Sequence, residues 1–316
     1  MSFEIRIRPI RPEDHPALVE ICTAAMLATK HGSVFEIERR LGSSSGVRTS
    51  MQWLRTRAPW EGFLAEVGGR VVGFSGHRPP GAIAEIDGNH VLPEFWGNGI
   101  SSLLQEHLMR KLRSLGAQVI KVRTEERAKP ARHIYEKSGF KLLVLAPHYA
   151  RRLTPEDALR RGDPVIRVRP ARTEGLSAVA ELDWARAERW DACESILLEK
   201  RHGQIDGKPW RQRYSPPHNA DKLLVVEKDG RVVGWVSSNP PGANGVVRVV
   251  SMGIAETEEA GMLGREMLLD LCGRMSQAGA EIIMTEVLQT DQPAVASLEA
   301  AGFERVGAIV IYTQDA

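Results

Sequence analysis

Residues 83–115 read IAEIDGNHVLPEFWGNGISSLLQEHLMRKLRSL and predict a strand, a glycine-containing turn and an amphipathic helix. The helix is indicated by apolar residues at the spacing of one buried face, namely Ile100, Leu103, Leu104, Leu108, Leu112 and Leu115. In the turn, Gly97 and Gly99 let the backbone approach a ligand without obstruction by a Cβ atom. The first-turn N–H groups of the helix lack intrahelical partners and lie at the positive end of its dipole. They therefore predict a site for phosphate oxygens.

The turn also carries a recognisable pattern, V-x-P-E-(aromatic)-x-G-x-G, formed by Val91, Pro93, Glu94, Phe95, Gly97 and Gly99. This pattern resembles the acyl-CoA loop of the GNAT acyltransferase superfamily. Two positions depart from that loop, because Trp96 replaces the usual Arg or Gln and Ser101 replaces the final Gly or Ala. We expect Trp96 to weaken binding without abolishing it. The resemblance implies that acetyl-CoA is bound, mostly by backbone amides, at Asn89, His90, Val91, Gly97, Asn98, Gly99, Ile100, Ser101 and Ser102.

The composition is that of an ordinary soluble globular protein, with 42% apolar residues, 26% charged residues and a net charge of +2. This near-neutral charge gives no electrostatic argument for a nucleic-acid or membrane partner. The three cysteines, Cys22, Cys193 and Cys272, form no disulfide or metal pattern, which suits a reducing cytosol. The histidines show no ligand spacing and the first residues carry no apolar leader. We therefore expect a cytoplasmic protein without a metal site.

The chain contains an internal repeat. The segment GRVVG at residues 69–73 recurs at residues 230–234, an offset of 161, and SGF at residues 138–140 recurs as AGF at residues 301–303, an offset of 163. The second copy has therefore gained two residues between these points. A period this long indicates two whole domains, which we place at residues 1–155 and 162–316.

Each half predicts the same mixed order of strand, helices, hairpin, strand, helix, strand, helix and strand. In the first half, residues 82–91 and 119–124 predict the fourth and fifth strands, residues 130–138 predict a helix, and residues 30–57 read as helical with a Gly/Ser break. The order is similar to that of GNAT proteins over nearly the whole of both halves. The expected fold class is α/β, an α+β mixed sheet, with two tandem GNAT-like acyl-CoA N-acyltransferase domains.

Acyl transfer from a thioester needs a donor near the sulfur, because a thiolate leaves more easily when it is protonated or hydrogen-bonded. Residues 131–140, ARHIYEKSGF, resemble the family segment A-x-x-x-Y-E-K-x-G-F. The tyrosine of that segment hydrogen-bonds the CoA sulfur and acts as general acid, so the resemblance gives this role to Tyr135. Ala128 stands where the family has an asparagine, which removes one pantetheine contact from the pattern.

The reaction also needs a base that takes a proton from the ammonium form of the acceptor, and Glu85 is our choice. It lies on the predicted fourth strand and resembles a glutamate that some GNAT enzymes use through a bridging water. Strand alternation would put Glu85, Asp87 and Asn89 on one face. If that face lines the cleft, Asp87 and His90 compete for the role. Further candidates, just after the fifth strand, are Glu125 and Glu126.

In the second half, other residues occupy the positions of the predicted catalytic and acetyl-CoA-binding residues. At an offset of 163, Tyr135 meets Leu298, and Glu85 meets Val246 or Arg248, depending on where the two-residue insertion falls. The loop is replaced by a segment whose three carboxylates would repel a pyrophosphate, namely Glu256, Glu258 and Glu259. We interpret this half as a degenerate GNAT domain that supports the first half, shapes the acceptor cleft or forms a dimer surface.

The sequence thus predicts a tandem-GNAT N-acetyltransferase that moves an acetyl group from acetyl-CoA to a primary amine of a small molecule or peptide by direct attack. Glu85 would be the base and Tyr135 the acid, and a homodimer is an open alternative. The acceptor would lie against residues 30–57, the turn at residues 77–80 and the region of Tyr149. A second hypothesis is a non-catalytic acyl-CoA-binding or regulatory protein. A third, transfer from an aminoacyl-tRNA, is disfavoured by the near-neutral charge.

Overall fold

The computed structural model of the chain describes residues 4–30, 35–37, 61–78, 81–160, 166–172, 176–213, 223–242, 245–255 and 259–316. Most of the predicted helical segment at residues 30–57 lies outside the described residues; residues 35–37 within it are helical. The elements of the first half are β1 (Ile5–Pro9), α1 (His15–Thr29), β2 (Glu61–Val67), β3 (Arg70–His77), β4 (Ile83–Val91), α2 (Ile100–Ser114), β5 (Val119–Glu125), α3 (Lys129–Lys137) and β6 (Lys141–Arg152). Those that follow are α4 (Pro155–Leu159), β7 (Arg167–Pro170), α5 (Leu176–Trp190), α6 (Glu194–His202), α7 (Trp210–Arg213), β8 (Leu223–Lys228), β9 (Arg231–Ser238), β10 (Val246–Ile254), α8 (Ala260–Gln277), β11 (Ile282–Glu286), α9 (Gln292–Ala300) and β12 (Glu304–Asp315).

The fourth strand, the fifth strand and the helices after them form where the sequence predicts them. Helix α2 buries most of the face that its apolar spacing indicates, with Ile100, Leu104 and Leu108 at most 1% exposed. Leu115 does not belong to this face, because the helix ends at Ser114 and Leu115 is 43% exposed. Helix α3 ends just before Gly139, whose φ of 90° is the left-handed conformation that often follows a helix. Local sequence signals therefore account for these elements.

The twelve described strands form one mixed sheet in the order β1-β2-β3-β4-β5-β12-β6-β11-β10-β9-β8-β7. Strand β5 is hydrogen-bonded to β12, and β11 to β6, so the last strand of each half lies beside the fifth strand of the other half. Strands β6 and β12 pair with each other at the centre of the sheet. The two halves thus share one sheet by exchanging their final strands, which confirms the mixed α/β fold class and adds a connection that the sequence did not predict.

The exchange is close to symmetric. At the centre of the β6–β12 ladder, Ala146 lies opposite Ile309, the residue that is related to it by the repeat offset of 163. The Tyr312 hydroxyl on β12 donates to Glu136 Oε1 on α3 at 2.5 Å, and the Tyr149 hydroxyl on β6 donates to Glu299 Oε1 on α9 at 3.1 Å. Each bond joins the last strand of one half to a helix of the other, so the same contact fastens both exchanged strands.

The ladders also locate the two-residue insertion. Val246 begins the parallel β10–β11 ladder as Ile83 begins that of β4 and β5, an offset of 163. The insertion therefore precedes β10. Consequently Glu85 corresponds to the exposed Arg248 and not to Val246.

A bulge separates β4 from β5. Their parallel ladder ends at Ile86, although β4 continues to Val91. On the other edge of β4 the register with β3 shifts between Ile86 and Asn89, so that two residues of β4 face one residue of β3. Gly88 in this bulge has a φ of 117°, which favours glycine. We call the opening between β4 and β5 beyond Ile86 the first wedge.

The bulge also changes which side chains share a face. Before it, Ile86 packs with residues of α2 and α3, so Glu85 points to the opposite face. After it, Asn89 lies on the α2/α3 face, where it is hydrogen-bonded to Ser101. The expectation that Glu85, Asp87 and Asn89 share one face is therefore wrong, because it assumed unbroken alternation. The face that carries Glu85 is covered by α6 of the second half and is called the α6 face below.

Candidate active site

The loop before α2 has the backbone conformation that an anion site needs. Gly97 and Gly99 have φ values of 81° and 75°, and Gly99 is the N-cap of α2. Apart from its chain neighbours, no described heavy atom lies within 4 Å of a Cβ built on either glycine, so the backbone angle and not the space requires glycine here. The Asn98 side chain donates to the carbonyl oxygens of Phe95 and Trp96 at 3.1 and 3.3 Å, which holds the loop in shape. The first N–H groups of α2 are then available to phosphate oxygens.

The edge of β4 supplies further backbone groups. The Leu92 N–H donates to the Val72 carbonyl on β3 at 2.8 Å. Because hydrogen-bonding direction alternates along a strand, the N–H and C=O of Val91 point away from β3 and into the first wedge. The Trp96 indole N–H donates to the Val91 carbonyl at 2.7 Å, while the residue remains 47% exposed. Trp96 thus fastens the loop to the strand edge, a role that the sequence did not predict.

Tyr135 is buried at the first wedge. It is 5% exposed, and its ring centroid lies 5.9 Å from that of Phe140 and 6.4 Å from that of Tyr312. Burial raises the pKa of Tyr135 above its usual value, and a hydrogen bond from the Asn89 side chain offsets part of this rise. The phenol therefore keeps its proton at neutral pH. Ser101 Oγ in turn donates to Asn89 Oδ1 at 3.0 Å, so that β4, α2 and α3 bring three predicted residues together.

His90 is oriented differently from its neighbours. It lies opposite Phe74 in the β3–β4 ladder, with the ring centroids 5.6 Å apart, and its backbone groups point towards β3. Burial lowers the pKa of His90 to about 4, so its imidazole is neutral at pH 7. The structure therefore places its neutral ring on the α6 face and its backbone away from the wedge.

Glu85 lies on the α6 face among charged partners. Its Oε2 is 3.1 Å from Lys121 Nζ and its Oε1 is 3.7 Å from Arg78 Nη2. Lys121 Nζ also contacts Glu194 Oε1 at 2.5 Å, and Asp87 pairs with Arg78 at 3.1 Å. The Lys121 ammonium therefore lies between two carboxylates, one from each half of the chain. The other candidate bases are at the end of β5 (Glu125) and in an ion pair with Arg305 at 2.9 Å (Glu126).

The second half reaches the α6 face with two carboxylates. Glu194, the first residue of α6, contacts Lys121 and also pairs with Arg123 at 3.1 Å. Arg123 pairs as well with Glu286 of β11, which bonds His148 at 2.9 Å. Burial raises the pKa of Glu286, but the His148 hydrogen bond and the Arg123 charge outweigh burial and hold it at about 2. Sequence reasoning missed this cluster. The one sequence feature that points to this cluster is that Arg123 and Glu286, which carry opposite charges, are related by the repeat offset of 163.

The second half repeats the opening between β10 and β11 beyond Arg248, which we call the second wedge, but fills it with apolar groups. The β10–β11 ladder also ends early, and the register of β9 and β10 also shifts. The positions of Asn89, Ser101 and Tyr135 are taken by Met252, Gly264 and Leu298. Met252 and Leu298 belong to one buried apolar cluster. A Cβ on Gly264 would lie 2.0 Å from Ser297 Oγ, so α8 and α9 pack in direct contact, whereas α2 and α3 touch at most marginally.

The charges near the second wedge differ from expectation. Glu259 is ion-paired with Lys228, so its carboxylate is neutralised. Glu256 and Glu258 lie outside the described residues. The expected repulsion of a pyrophosphate by Glu259 is therefore weakened, and the loss of anion binding in the second half stays a prediction.

Three further features bear on the kind of site. Within the described ranges, no group of three or more His, Cys, Asp or Glu side chains could hold a metal ion. The three cysteines are free and buried. None of the helices that the structure describes is long and apolar enough to cross a membrane.

Comparison with known proteins gives one family and several related folds. The model of the Acetyltransferase (GNAT) family matches residues 34–140 and 181–303. The crystal structure of a GCN5-related N-acetyltransferase from Sphaerobacter thermophilus is 15% identical, with a TM-score of 0.68, and the match covers 98% of this chain and 95% of that one. A tandem GNAT protein from the clavulanic acid biosynthesis pathway is 16% identical, with a TM-score of 0.61 and coverage of 99% and 98%. A GNAT-family acetyltransferase from Colwellia psychrerythraea is 16% identical, with a TM-score of 0.52 and coverage of 98% and 99%. At these identities the likeness is one of fold, and no curated protein matches the chain by sequence.

Proposed function

Because the chain belongs to the GNAT acetyltransferase family, we propose that it transfers an acetyl group from acetyl-CoA to a primary amine of a small molecule or peptide. The observation that carries this proposal is the contrast between the two wedges. The first keeps the polar set Asn89, Ser101 and Tyr135, and the second replaces all three with Met252, Gly264 and Leu298. We therefore assign catalysis to residues 1–155 and treat residues 162–316 as a degenerate copy.

The first wedge has the groups that acetyl-CoA, the source of the activated acetyl group, would need. The glycines of the loop and the amides at the start of α2, residues 97–102, suit the pyrophosphate. The N–H of Val91 faces the wedge and can bond the pantetheine arm. Tyr135 lies on the same face with its proton retained, where it can donate to the sulfur.

The acceptor would reach the acetyl group from the α6 face, because the wedge opens between the two faces of the sheet. Lys121 lies between Glu85 and Glu194, so an acceptor ammonium can replace it at Glu85 while Lys121 stays on Glu194. Glu85 then accepts a proton, directly or through a water, and the free amine attacks the acetyl carbon. As the N–C bond forms and the C–S bond breaks, the Tyr135 hydroxyl gives its proton to the sulfur. The nitrogen then loses its extra proton, through water, to the Tyr135 phenolate, which leaves a neutral amide, the CoA thiol and a neutral tyrosine.

Two contacts favour the alternative of a non-catalytic acyl-CoA-binding protein. Lys121 already occupies the carboxylate of Glu85, and the Trp96 indole already occupies the carbonyl of Val91. In an enzyme, both contacts must yield or rearrange when the substrates bind. In a binding protein they can persist, and Tyr135 then has no role in turnover.

Titration of acetyl-CoA into the full chain, followed by a thiol-release assay with a panel of amines, separates these readings. We expect one binding site in the full chain. We expect Tyr135→Phe and Glu85→Gln each to lower turnover by about 100-fold or more while acetyl-CoA affinity changes little. Tyr149→Phe is the matched control. Although the sequence suggested that the acceptor lies near Tyr149, this side chain packs in the apolar cluster of the second half, with its hydroxyl bonded to Glu299 and away from the first wedge. Equal turnover in Tyr135→Phe and Tyr149→Phe would support the binding protein, and no binding of acetyl-CoA would refute the donor.

A further inference from the structure

Ser101 departs from the glycine or alanine of the family loop, and the structure gives its side chain a partner. Its Oγ donates to Asn89 Oδ1 at 3.0 Å. Asn89 Nδ2 lies 3.5 Å from the Ser101 carbonyl oxygen, which can only accept. The carbonyl contact requires the amide nitrogen on its side, and the serine hydroxyl, which can donate or accept, then donates to the amide oxygen. The Ser101 side chain and backbone together therefore fix the Asn89 amide.

This orientation determines what Asn89 presents to Tyr135. With Oδ1 held by Ser101, the amide keeps an N–H for the phenol oxygen, and the Asn89 side chain offsets part of the rise that burial causes in the pKa of Tyr135. When the Asn89 N–H donates to the Tyr135 oxygen, the Tyr135 O–H proton is not needed for that bond and can donate to another acceptor. Around the ring lie Phe140, which has no acceptor, and Tyr312, whose hydroxyl is already bonded to Arg132 and Glu136.

We propose that Ser101 and Asn89 are positioning residues that hold the Tyr135 hydroxyl with its proton directed into the first wedge, towards the sulfur of a CoA thioester. The inference rests on the proposed function, since it assigns the sulfur to this wedge. The second half supplies an independent observation, because the three members are absent together. At the offset of 163, Met252, Gly264 and Leu298 replace asparagine, serine and tyrosine. A set that acts as a unit is expected to be lost as a unit.

The test compares CoA with desulfo-CoA, which carries hydrogen in place of the thiol, by calorimetric titration into the full chain at pH 7 and pH 9. A free thiol ionises near pH 8.5, so more of the CoA is thiolate at pH 9, and a hydrogen bond to an anion is stronger. Burial keeps the pKa of Tyr135 above its usual value, so the phenol stays protonated at both pH values. We expect the full chain to prefer CoA by about 3- to 10-fold at pH 7 and by more at pH 9.

Three variants locate the source of this preference. Tyr135→Phe removes the donor and should abolish the preference at both pH values. Asn89→Asp keeps the shape but presents only acceptors, so the Tyr135 proton turns to the new carboxylate and the preference is lost. Ser101→Ala removes the 3.0 Å bond and leaves only the 3.5 Å contact with the Ser101 carbonyl, so the amide rotates more easily and the preference should fall by about half or more. Ser114→Ala removes a serine hydroxyl from the other end of α2 and serves as the control.

The outcomes for the inference and for the function are separate. A preference that survives in both Ser101→Ala and Asn89→Asp overturns the positioning role, even if the chain transfers acetyl groups. A preference that depends on Ser101 and Asn89 supports it, even if no amine is acetylated. Ser101→Ala keeps the test decisive if Asn89→Asp fails to fold, because alanine is compatible with a helix start that the structure already forms. Failure to bind CoA at all overturns both proposals.

Discussion

Glu286→Gln should destabilise the protein in a pH-dependent way, because Glu286 joins the two halves through Arg123 and His148. Burial raises the pKa of this carboxyl, but its partners lower it more, from 4.5 to about 2. A fall of about 2.5 pH units at about 1.36 kcal/mol each sets an upper limit of about 3.4 kcal/mol. The side chain is 35% exposed, so solvent screening reduces the expected loss to about 1–2 kcal/mol at pH 7.

The sign of the pH dependence follows from the direction of this pKa change. A carboxyl whose pKa is lowered on folding stabilises the folded state above its unfolded value of 4.5. That stabilisation is lost as the pH falls from 4.5 towards 2. Urea unfolding of the wild type and of Glu286→Gln should be followed at pH 7, 4 and 3. The difference between their free energies of unfolding should become smaller as the pH falls. Glu304→Gln, which alters an exposed carboxylate on β12, is the control, and a difference that stays constant with pH would refute the ion-pair reasoning.

Two other substitutions test the roles given to the second half. Glu194→Gln should leave Lys121 bound to Glu85 alone, so that the acceptor ammonium competes less well for Glu85. The KM for the acceptor amine should rise by about fivefold while the affinity for acetyl-CoA is unchanged. An unchanged acceptor KM would mean that α6 does not lie on the acceptor side. Gly264→Ala should lower the free energy of unfolding by about 1–3 kcal/mol, because the new Cβ would lie 2.0 Å from the Oγ and 2.6 Å from the Cβ of Ser297. An unchanged urea midpoint would mean that α8 and α9 separate easily and that the second wedge is not tightly packed.

The sequence was sufficient to predict those structural features that depend on residues close together in the chain. The conformation of Gly97 and Gly99, the buried face of α2 and the glycine that ends α3 are each specified within a few positions. The repeat offsets of 161 and 163 predicted two similar halves and limited the correspondent of Glu85 to two residues. The approach of Asn89, Ser101 and Tyr135 to one another also follows from the resemblance, although the hydrogen bonds between them do not.

The sequence was insufficient where one extra residue or a distant partner decides the outcome. The bulge at Gly88 reverses the face of every later side chain in β4, and a single glycine in a strand does not by itself announce a bulge. The exchange of β6 and β12 could not be predicted, because both strands have similar patterns and either can satisfy the edge of either β5 or β11. The Glu194–Lys121 contact follows from that exchange and was missed for the same reason.

The exchange gives the second half a structural role that does not depend on a site of its own. Strand β12 lies between β5 and β6, so the first half without it would have an unpaired edge in the middle of its sheet. The same strand carries Tyr312 to within 6.4 Å of Tyr135, and α6 brings Glu194 to Lys121. Changes that fill the second wedge with Met252 and Leu298 leave these contacts intact, because the contacts come from other parts of the second half. The first wedge therefore depends on the fold of the second half, although the second wedge is packed with apolar side chains.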